Sequence, residues 1–78
     1  MARVLLLGPA REAAGRSNDL IDADTIAQVL DEAVARYGTA FKEVLAVSQI
    51  WVNGEPADWS LALGPQDQVA VLPPVSGG

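Results

Sequence analysis

Apolar residues of this chain are concentrated in two short runs near its ends and in one periodic stretch between them. The runs occupy residues 4–7 and 69–72 and contain only Val, Leu and Ala. Uninterrupted apolar runs of this length are typical of strands buried on both faces at the centre of a sheet. We therefore expect the two segments to lie side by side as central strands.

The stretch between Ile26 and Tyr37 has the spacing of an amphipathic helix. Its apolar stripe consists of Ile26, Val29, Leu30, Ala33, Val34 and Tyr37. Thr25 and Gln28 have the spacing of a capping box, in which each side chain satisfies a backbone N–H group near the helix start. Gly38 is a typical residue just beyond a helix end. Such a helix buries one face and needs a sheet beneath it.

Three further strands complete the prediction. Residues 18–22 and 48–52 have strand character. Asn53 and Gly54 favour a type I′ turn, because both central residues of that turn need positive φ, and a brief strand returns from Glu55. The order β-β-α-β-β-β predicts an α+β protein with the β-grasp, ubiquitin-like fold, in which one main helix covers a mixed sheet. The other face of that sheet is then expected to stay uncovered.

The predicted fold gives an expected position for three large aromatic residues. Phe41 is expected in the core. Trp59 is expected to pack under the turn at residues 61–63. Trp51 alternates with Ile50 and Val52 along a strand, so it points to the opposite face from them. Trp51 therefore belongs either to an apolar docking patch on the uncovered face or to the core.

The composition changes after Leu72, where the chain continues as Pro-Pro-Val-Ser-Gly-Gly. Proline fixes φ and cannot donate to a strand ladder, so sheet pairing should end here. We therefore divide the chain into a β-grasp domain, residues 1–72, and an extended, flexible C-terminal tail, residues 73–78. Gly77 and Gly78 have no side chains, so the last peptide and its carboxylate can enter a slot too narrow for other residues.

Composition and charge exclude several classes of function. The 78 residues contain no Cys and no His, which removes disulfides, thiolate chemistry and the commonest general base and metal ligand. The net charge is −5 and the five cations are scattered, so we expect no nucleic-acid binding. Segments typical of a membrane span or a signal peptide are missing, which predicts a cytoplasmic protein. Glu55, Asp58 and Asp67 do not have metal-site spacing, and no bound metal or cofactor is expected.

A bare C-terminal carboxylate is a poor electrophile, because hydroxide is a poor leaving group. Conversion to an acyl-adenylate supplies a good leaving group, after which sulfur, oxygen or nitrogen nucleophiles can attack. The chain has no phosphate-binding Gly loop, so another protein must handle the ATP. In this interpretation the chain is a substrate and not a catalyst. The alternative is that the terminal Gly-Gly is a frayed end or a cloning remnant.

The ending formed by residues 69–78 resembles the terminus of the MoaD/ThiS sulfur-carrier family, and most closely the MoaD branch, the small subunit of molybdopterin synthase. Residues 11–15, expected to form a single helical turn, resemble the family's segment after the first strand. Residues 52–55 resemble its central hairpin. Two connections depart from the family pattern, at Gly8-Pro9 and at residues 64–67.

The resemblance implies a sulfur carrier that is not itself an enzyme. An activating enzyme of the MoeB type would adenylate the carboxylate of Gly78, and a sulfur donor would convert it into a thiocarboxylate. The tail would then enter the large, MoaE-like synthase subunit, where the sulfur builds the dithiolene of molybdopterin. The implied site is Gly78 as sulfur carrier with a threaded spacer of Pro73, Pro74, Val75, Ser76 and Gly77.

Other functions remain open at this point. A ThiS-like carrier for thiazole synthesis has the same fold and terminal Gly-Gly. A ubiquitin-like modifier would use the same acyl-adenylate but form isopeptides with lysines. A plain interaction module would need neither terminal glycine. Arg11 either pairs with a partner carboxylate or stays solvated.

Overall fold

Five strands and three helices make up residues 1–73, the part of the chain that the computed structural model describes. In chain order they are β1 (Ala2–Leu6), α1 (Pro9–Ala14), β2 (Asn18–Ile21), α2 (Ile26–Tyr37), α3 (Thr39–Ala46), β3 (Gln49–Val52), β4 (Glu55–Pro56) and β5 (Gln68–Leu72). The predicted order of five strands and one main helix is confirmed, the helical turn expected at residues 11–15 is part of α1, and α3 is an addition. The α+β architecture is a β-grasp.

The sheet has the strand order β2-β1-β5-β3-β4. β1 and β5 are parallel neighbours, with Val4 opposite Val69, and every other pair is antiparallel. The predicted pairing of the two apolar runs is therefore confirmed. Because β1 and β5 run in the same direction, the end of β5 lies beside the end of β1, close to where α1 begins.

The central strands are buried on one face only, so the expectation of two buried faces is wrong. Their fully buried side chains, each with 0% exposure, are Val4, Leu6, Val69 and Val71. Leu5 and Ala70, which lie between them, are only half-buried. Successive side chains of a strand point to opposite faces, and the described helices cover just one of these. Each apolar run therefore serves the core with alternate residues and leaves the others on the far face.

The helical layer is larger than the sequence pattern predicted. α2 buries its predicted stripe, with Ile26, Val29, Leu30 and Ala33 at 0% exposure. α3 follows directly after Gly38 (φ 94°) and buries Phe41 and Leu45, which confirms Phe41 as a core residue. The signal for α3 is present in the sequence, since Phe41, Val44 and Leu45 have helical spacing. Gly38 therefore separates two helices and does not end the helical layer.

The start of α2 is capped largely as expected. Oγ1 of Thr25 accepts a hydrogen bond of 3.2 Å from the backbone N–H of Gln28. The side chain of Gln28 accepts from the backbone N–H of Asp24, at 2.7 Å, and not from that of Thr25. The Gln28 half of the predicted box is thus displaced by one residue toward the chain start. Both side chains still accept a hydrogen bond from a backbone N–H group near the start of α2.

The loop after β4 satisfies two further donors of α2. The carbonyls of Trp59 and Leu61 accept hydrogen bonds from the N–H groups of Ala27 and Ile26, at 2.9 and 3.1 Å. These bonds hold the loop beside the helices, and the indole of Trp59 borders a groove together with Lys42 of α3. Trp59 is 43% exposed. The prediction that it packs under the turn at residues 61–63 is therefore wrong.

A polar cluster around Asp19 joins β2 to α2. Oδ2 of Asp19 lies 3.0 Å from Nη1 of Arg36 and 3.3 Å from Nη1 of Arg16, and it accepts a hydrogen bond from the hydroxyl of Tyr37. The Tyr37 hydrogen bond, assisted by the nearby guanidinium groups, lowers the pKa of Asp19 to about 2. Burial and the bond to Asp19 raise the pKa of Tyr37 to about 12. The cluster favours the ionised Asp19 and the neutral Tyr37.

The hairpin between β3 and β4 has the predicted turn. Asn53 and Gly54 have φ values of 52° and 85°, as a type I′ turn requires. The Asn53 side chain donates to Oδ1 of Asp67 at 3.1 Å and accepts from the backbone N–H of Gln68 at 3.0 Å. These bonds tie the hairpin to the beginning of β5.

Candidate functional site

The predicted tail leaves the domain from the central strand β5. Leu72 is the last residue of β5 and is half-buried, and Pro73 after it is exposed. β5 is paired on both sides, with β1 and with β3, so the start of the tail is held by the sheet. The other predicted site residues lie outside the described residues, namely Pro74, Val75, Ser76, Gly77 and Gly78.

Gly8 lies beside the first tail residue, Pro73. It has a φ of 56°, a conformation that disfavours residues with a side chain. A Cβ atom built on Gly8 would lie 3.5 Å from Cγ of Pro73, which is ordinary contact, so the backbone conformation and not a lack of space favours glycine here. Gly8 directly precedes α1. The start of the tail, the end of β1 and the start of α1 therefore meet in one place.

Next to this point lies the sheet face opposite the helices, which we call the uncovered face. Its central row crosses β1, β5 and β3 at Leu5, Ala70 and Trp51, which are neighbours in the strand pairing. All three are half-buried, as is Leu72 on the same face. Trp51 thus lies outside the buried core, so the alternative of core burial is wrong. We take Leu5, Trp51, Ala70 and Leu72 as the centre of the uncovered face.

The chemistry of this face suits binding. The indole Nε1 of Trp51 donates a hydrogen bond of 3.1 Å to the side-chain oxygen of Gln49, which satisfies its polar atom and orients the ring. Leu5, Ala70 and Leu72 are apolar, so the centre of the uncovered face offers contact area and no group that transfers protons near neutral pH. Tryptophan within an apolar surface is a frequent anchor of protein interfaces. The uncovered face leads directly into the tail through Leu72.

The remaining candidate residues are not brought together in one site. Arg11 is exposed on α1 and has no ion pair within residues 1–73. Asp58 and Asp67 accept hydrogen bonds from the backbone N–H groups of Ser60 and Gly64, and these bonds lower the pKa of each carboxyl. In that same part of the chain, no group of three or more acidic residues is arranged to hold a metal ion.

The described helices are also too short or too polar to cross a membrane, as measured over residues 1–73.

The fold and the origin of the tail define a class, that of small ubiquitin-like proteins with a β-grasp domain. Within this class the sequence matches the model of the ThiS family over residues 4–78. The chain therefore belongs to the ThiS family, within the wider MoaD/ThiS group of sulfur carriers and protein modifiers that its sequence resembles. A search of the curated proteins found no match.

Solved structures with the same fold come from several branches of this group. Small archaeal modifier protein 1 from Methanosarcina acetivorans is 26% identical, with a TM-score of 0.88 over 99% of this chain and 95% of the other. A putative molybdopterin converting factor, subunit 1, from Pyrococcus furiosus is 27% identical, with a TM-score of 0.80 over 95% and 97%. The complex of subunits 1 and 2 of molybdopterin-converting factor from Helicobacter pylori 26695 contains a chain that is 28% identical, with a TM-score of 0.72 over 99% and 97%.

Proposed function

We propose that this protein is a sulfur carrier for molybdenum cofactor biosynthesis, acting as the small subunit of a molybdopterin synthase. The carboxylate of Gly78 is adenylated and converted to a thiocarboxylate, whose sulfur is donated to the dithiolene of molybdopterin. The observation that supports this most is that the family match extends over residues 4–78 and so includes the terminal Gly-Gly.

The activation step follows from carboxylate chemistry. An oxygen of the Gly78 carboxylate attacks the α-phosphorus of ATP, and pyrophosphate leaves. Hydrosulfide from the sulfur donor then attacks the acyl carbon, AMP leaves with the electrons of the broken C–O bond, and loss of the S–H proton gives the thiocarboxylate. ATP is bound by the activating enzyme, and the chain itself contributes the reacting carboxylate. Catalysis resides in the activating enzyme and in the large synthase subunit.

The tail delivers this carboxylate. Pro73 begins the spacer, and proline restricts its own φ and the conformation of the residue before it. Residues 74–78 add at most about 18 Å of reach beyond Pro73. Gly77 provides the clearance that lets the last peptide enter a narrow active site. The sheet holds Leu72, the last residue of β5, in place, and the tail starts from there.

Two partners need a surface next to the tail. The uncovered face provides one, with Trp51 as its largest anchor and Leu72 connecting it to the tail. We assign this face to the large, MoaE-like synthase subunit. A MoeB-like enzyme and a sulfur donor act earlier in the cycle. The Helicobacter pylori structure, a complex of the two subunits of molybdopterin-converting factor, supports the choice of this partner by analogy.

Protein modification is the second candidate function. The structural similarity to small archaeal modifier protein 1 favours it. Such a modifier would share the acyl-adenylate but transfer the acyl group to a lysine amine, which forms an isopeptide bond. A ThiS-like carrier would share the thiocarboxylate but deliver sulfur to thiazole synthesis.

Intact mass separates these functions. The chain is incubated with ATP, a sulfur donor and an active MoeB-type enzyme. We expect a mass gain equal to the exchange of one oxygen for sulfur, which is lost when Gly78 is deleted. Addition of the large synthase subunit and the pterin precursor should then remove the sulfur. Covalent attachment to other proteins without any thiocarboxylate would instead establish the modifier function.

A further inference from the structure

The sheet formed by residues 1–73 has two edges, which differ in length. β4 forms one edge with two residues, and one of them, Pro56, has no backbone N–H group. β2 forms the other edge with the four residues Asn18–Ile21. An edge strand presents N–H and C=O groups on which a strand of another molecule can pair. β2 is therefore the edge that is more open to strand addition.

The hydrogen-bond pattern shows which groups of β2 point outward. The N–H of Leu6 donates at 2.9 Å to the carbonyl of Ser17, which lies opposite it in the β1–β2 register. Opposite residues of an antiparallel pair alternate between hydrogen-bonded and non-hydrogen-bonded pairs. Counted from this bonded pair, Asn18 and Leu20 belong to non-bonded pairs. Their N–H and C=O groups therefore point away from β1, towards the open edge.

Both outward groups of Leu20 are already occupied. Its N–H donates to Oδ1 of Asp19 at 2.8 Å. Its carbonyl accepts a hydrogen bond of 3.1 Å from Nη1 of Arg36, which reaches the edge from α2. A strand that added to β2 would have to displace both side chains before it could bond to Leu20.

The two blocking side chains are held in place from α2. Oδ2 of Asp19, the oxygen that does not bind the strand, accepts from the hydroxyl of Tyr37 and lies 3.0 Å from Nη1 of Arg36. Nε of Arg36 also donates to Oε2 of Glu32 at 2.9 Å. Displacement of either side chain would therefore break several charge-assisted hydrogen bonds at once.

A second copy of this chain provides a strand that fits the edge. Antiparallel pairing of β2 with itself about Leu20 is two-fold symmetric, so each copy offers the groups that the other needs. The two Leu20 side chains, each 51% exposed, would become neighbours on the uncovered face. In this register Asp19 lies opposite Ile21 of the second copy, so the pairing does not oppose two carboxylates.

We propose that Asp19 and Arg36 close the edge of β2 and so prevent this chain from pairing with a second copy through that strand. The outward backbone groups of Asn18 and Leu20 form the latent pairing surface. This inference goes beyond the proposed function and does not depend on it, because it uses only groups of β2 and α2.

The test removes both blocking side chains without a change in net charge. Asp19→Ala with Arg36→Met is the edge variant, and Arg11→Met with Asp31→Ala, two exposed residues on α1 and α2, is the control. Sedimentation equilibrium measures the Kd of the dimer. We expect the edge variant to have a dimer Kd at least about tenfold below that of the unaltered chain, because each copy gains bonds to backbone groups. The control should match the unaltered chain.

A backbone modification shows whether a dimer uses this edge. An N-methyl group on the amide of Asn18, introduced by chemical synthesis, removes an outward donor and leaves the pairing with β1 in place. In the edge variant it should restore the dimer Kd of the unaltered chain. Dimers that persist with the N-methyl group would overturn the proposal, and so would equal dimer Kd values for the edge and control variants.

Hydrogen exchange tests the unaltered chain, so its result does not depend on whether the edge variant folds. The amide of Leu20 is bonded to Asp19, whereas that of Asn18 has no acceptor among residues 1–73. After correction for intrinsic rates, we expect the Leu20 amide to exchange at least about tenfold more slowly. Equal protection of the two amides would show that the edge is open and would contradict the proposal.

Discussion

The two faces of the sheet are built from the same strands but differ in how deeply their side chains are buried. On β1 and β5, Val4 and Val69 are 0% exposed under the helices, whereas Leu5 and Ala70, one residue further along, are half-buried on the uncovered face. The residue types hardly differ between the two sets. Burial here is decided by what packs over the sheet. The covered face should therefore carry stability, the uncovered face partner binding, and the tail the chemistry.

Deletion of Gly78 should have the largest effect, because the terminal carboxylate then belongs to Gly77 and lies one residue short of its reacting position. We expect complete loss of the thiocarboxylate mass gain, with a melting temperature within about 2 °C of the unaltered chain. Val71 is the last buried residue of the described range 1–73, and the deletion lies further along the chain. A large fall in melting temperature, measured by circular dichroism, would contradict this separation of stability from chemistry.

A matched pair of alanine variants tests the two faces directly. Leu6→Ala, on the covered face, should lower the free energy of unfolding by about 2–5 kcal/mol, because a fully buried side chain leaves a cavity. Leu5→Ala, on the uncovered face of the same strand, should cost about 1 kcal/mol. Urea denaturation measures both. Equal losses would show that the two faces contribute alike to stability.

Trp51→Ala should separate binding from stability. The side chain is half-buried at the centre of the uncovered face, so we expect affinity for the large synthase subunit to fall by about 2 kcal/mol, roughly 30-fold. The loss of folding stability should be smaller. Calorimetric titration provides the affinity, and Val47→Ala on the helical side is the control. Unchanged affinity for the synthase subunit would remove the uncovered face as its docking site.

The Asp19 cluster should give a smaller effect than Leu6→Ala or Trp51→Ala, and its pH dependence should be confined to the acidic range. The folded-state pKa of Asp19 is about 2 against an ordinary 3.8, so its contribution is present above pH 4 and is lost as the pH falls towards 2. Its side chain keeps 14% exposure, and we expect about 1–2 kcal/mol.

Asp19→Asn should remove this part of the acid dependence and lower stability near pH 7. Unfolding free energies between pH 2 and pH 7 measure the difference. Asp22→Asn, an exposed carboxylate just after β2, is the matched control. Identical pH profiles for the Asp19 variant and the unaltered chain would show that the cluster does not link β2 to α2 energetically.

Much of the fold could be predicted because its signals are local. The apolar stripe of α2, the Thr25 cap and the Asn53-Gly54 turn each depend on a few neighbouring residues, and the structure confirms them. α3 was missed although its spacing is equally clear. Gly38 has the character of a helix end, and sequence alone does not reveal that a second helix starts at the next residue.

The candidate site also has one part that the sequence predicts and another that depends on tertiary structure. The terminal Gly-Gly and its proline spacer are properties of the sequence, and their proposed chemistry follows from the carboxylate. The uncovered face depends on pairing between distant segments, such as Ala70 between Leu5 and Trp51.

The sequence by itself determined the two central strands, the main helix, the hairpin and the ending that marks the family. The tertiary structure alone decided which side of each strand is buried, where Trp59 lies, and that Pro73 meets Gly8 beside α1. Local patterns record periodicity, which fixes the type of an element. Burial depends on which elements pack over which face, and that is a property of the whole chain.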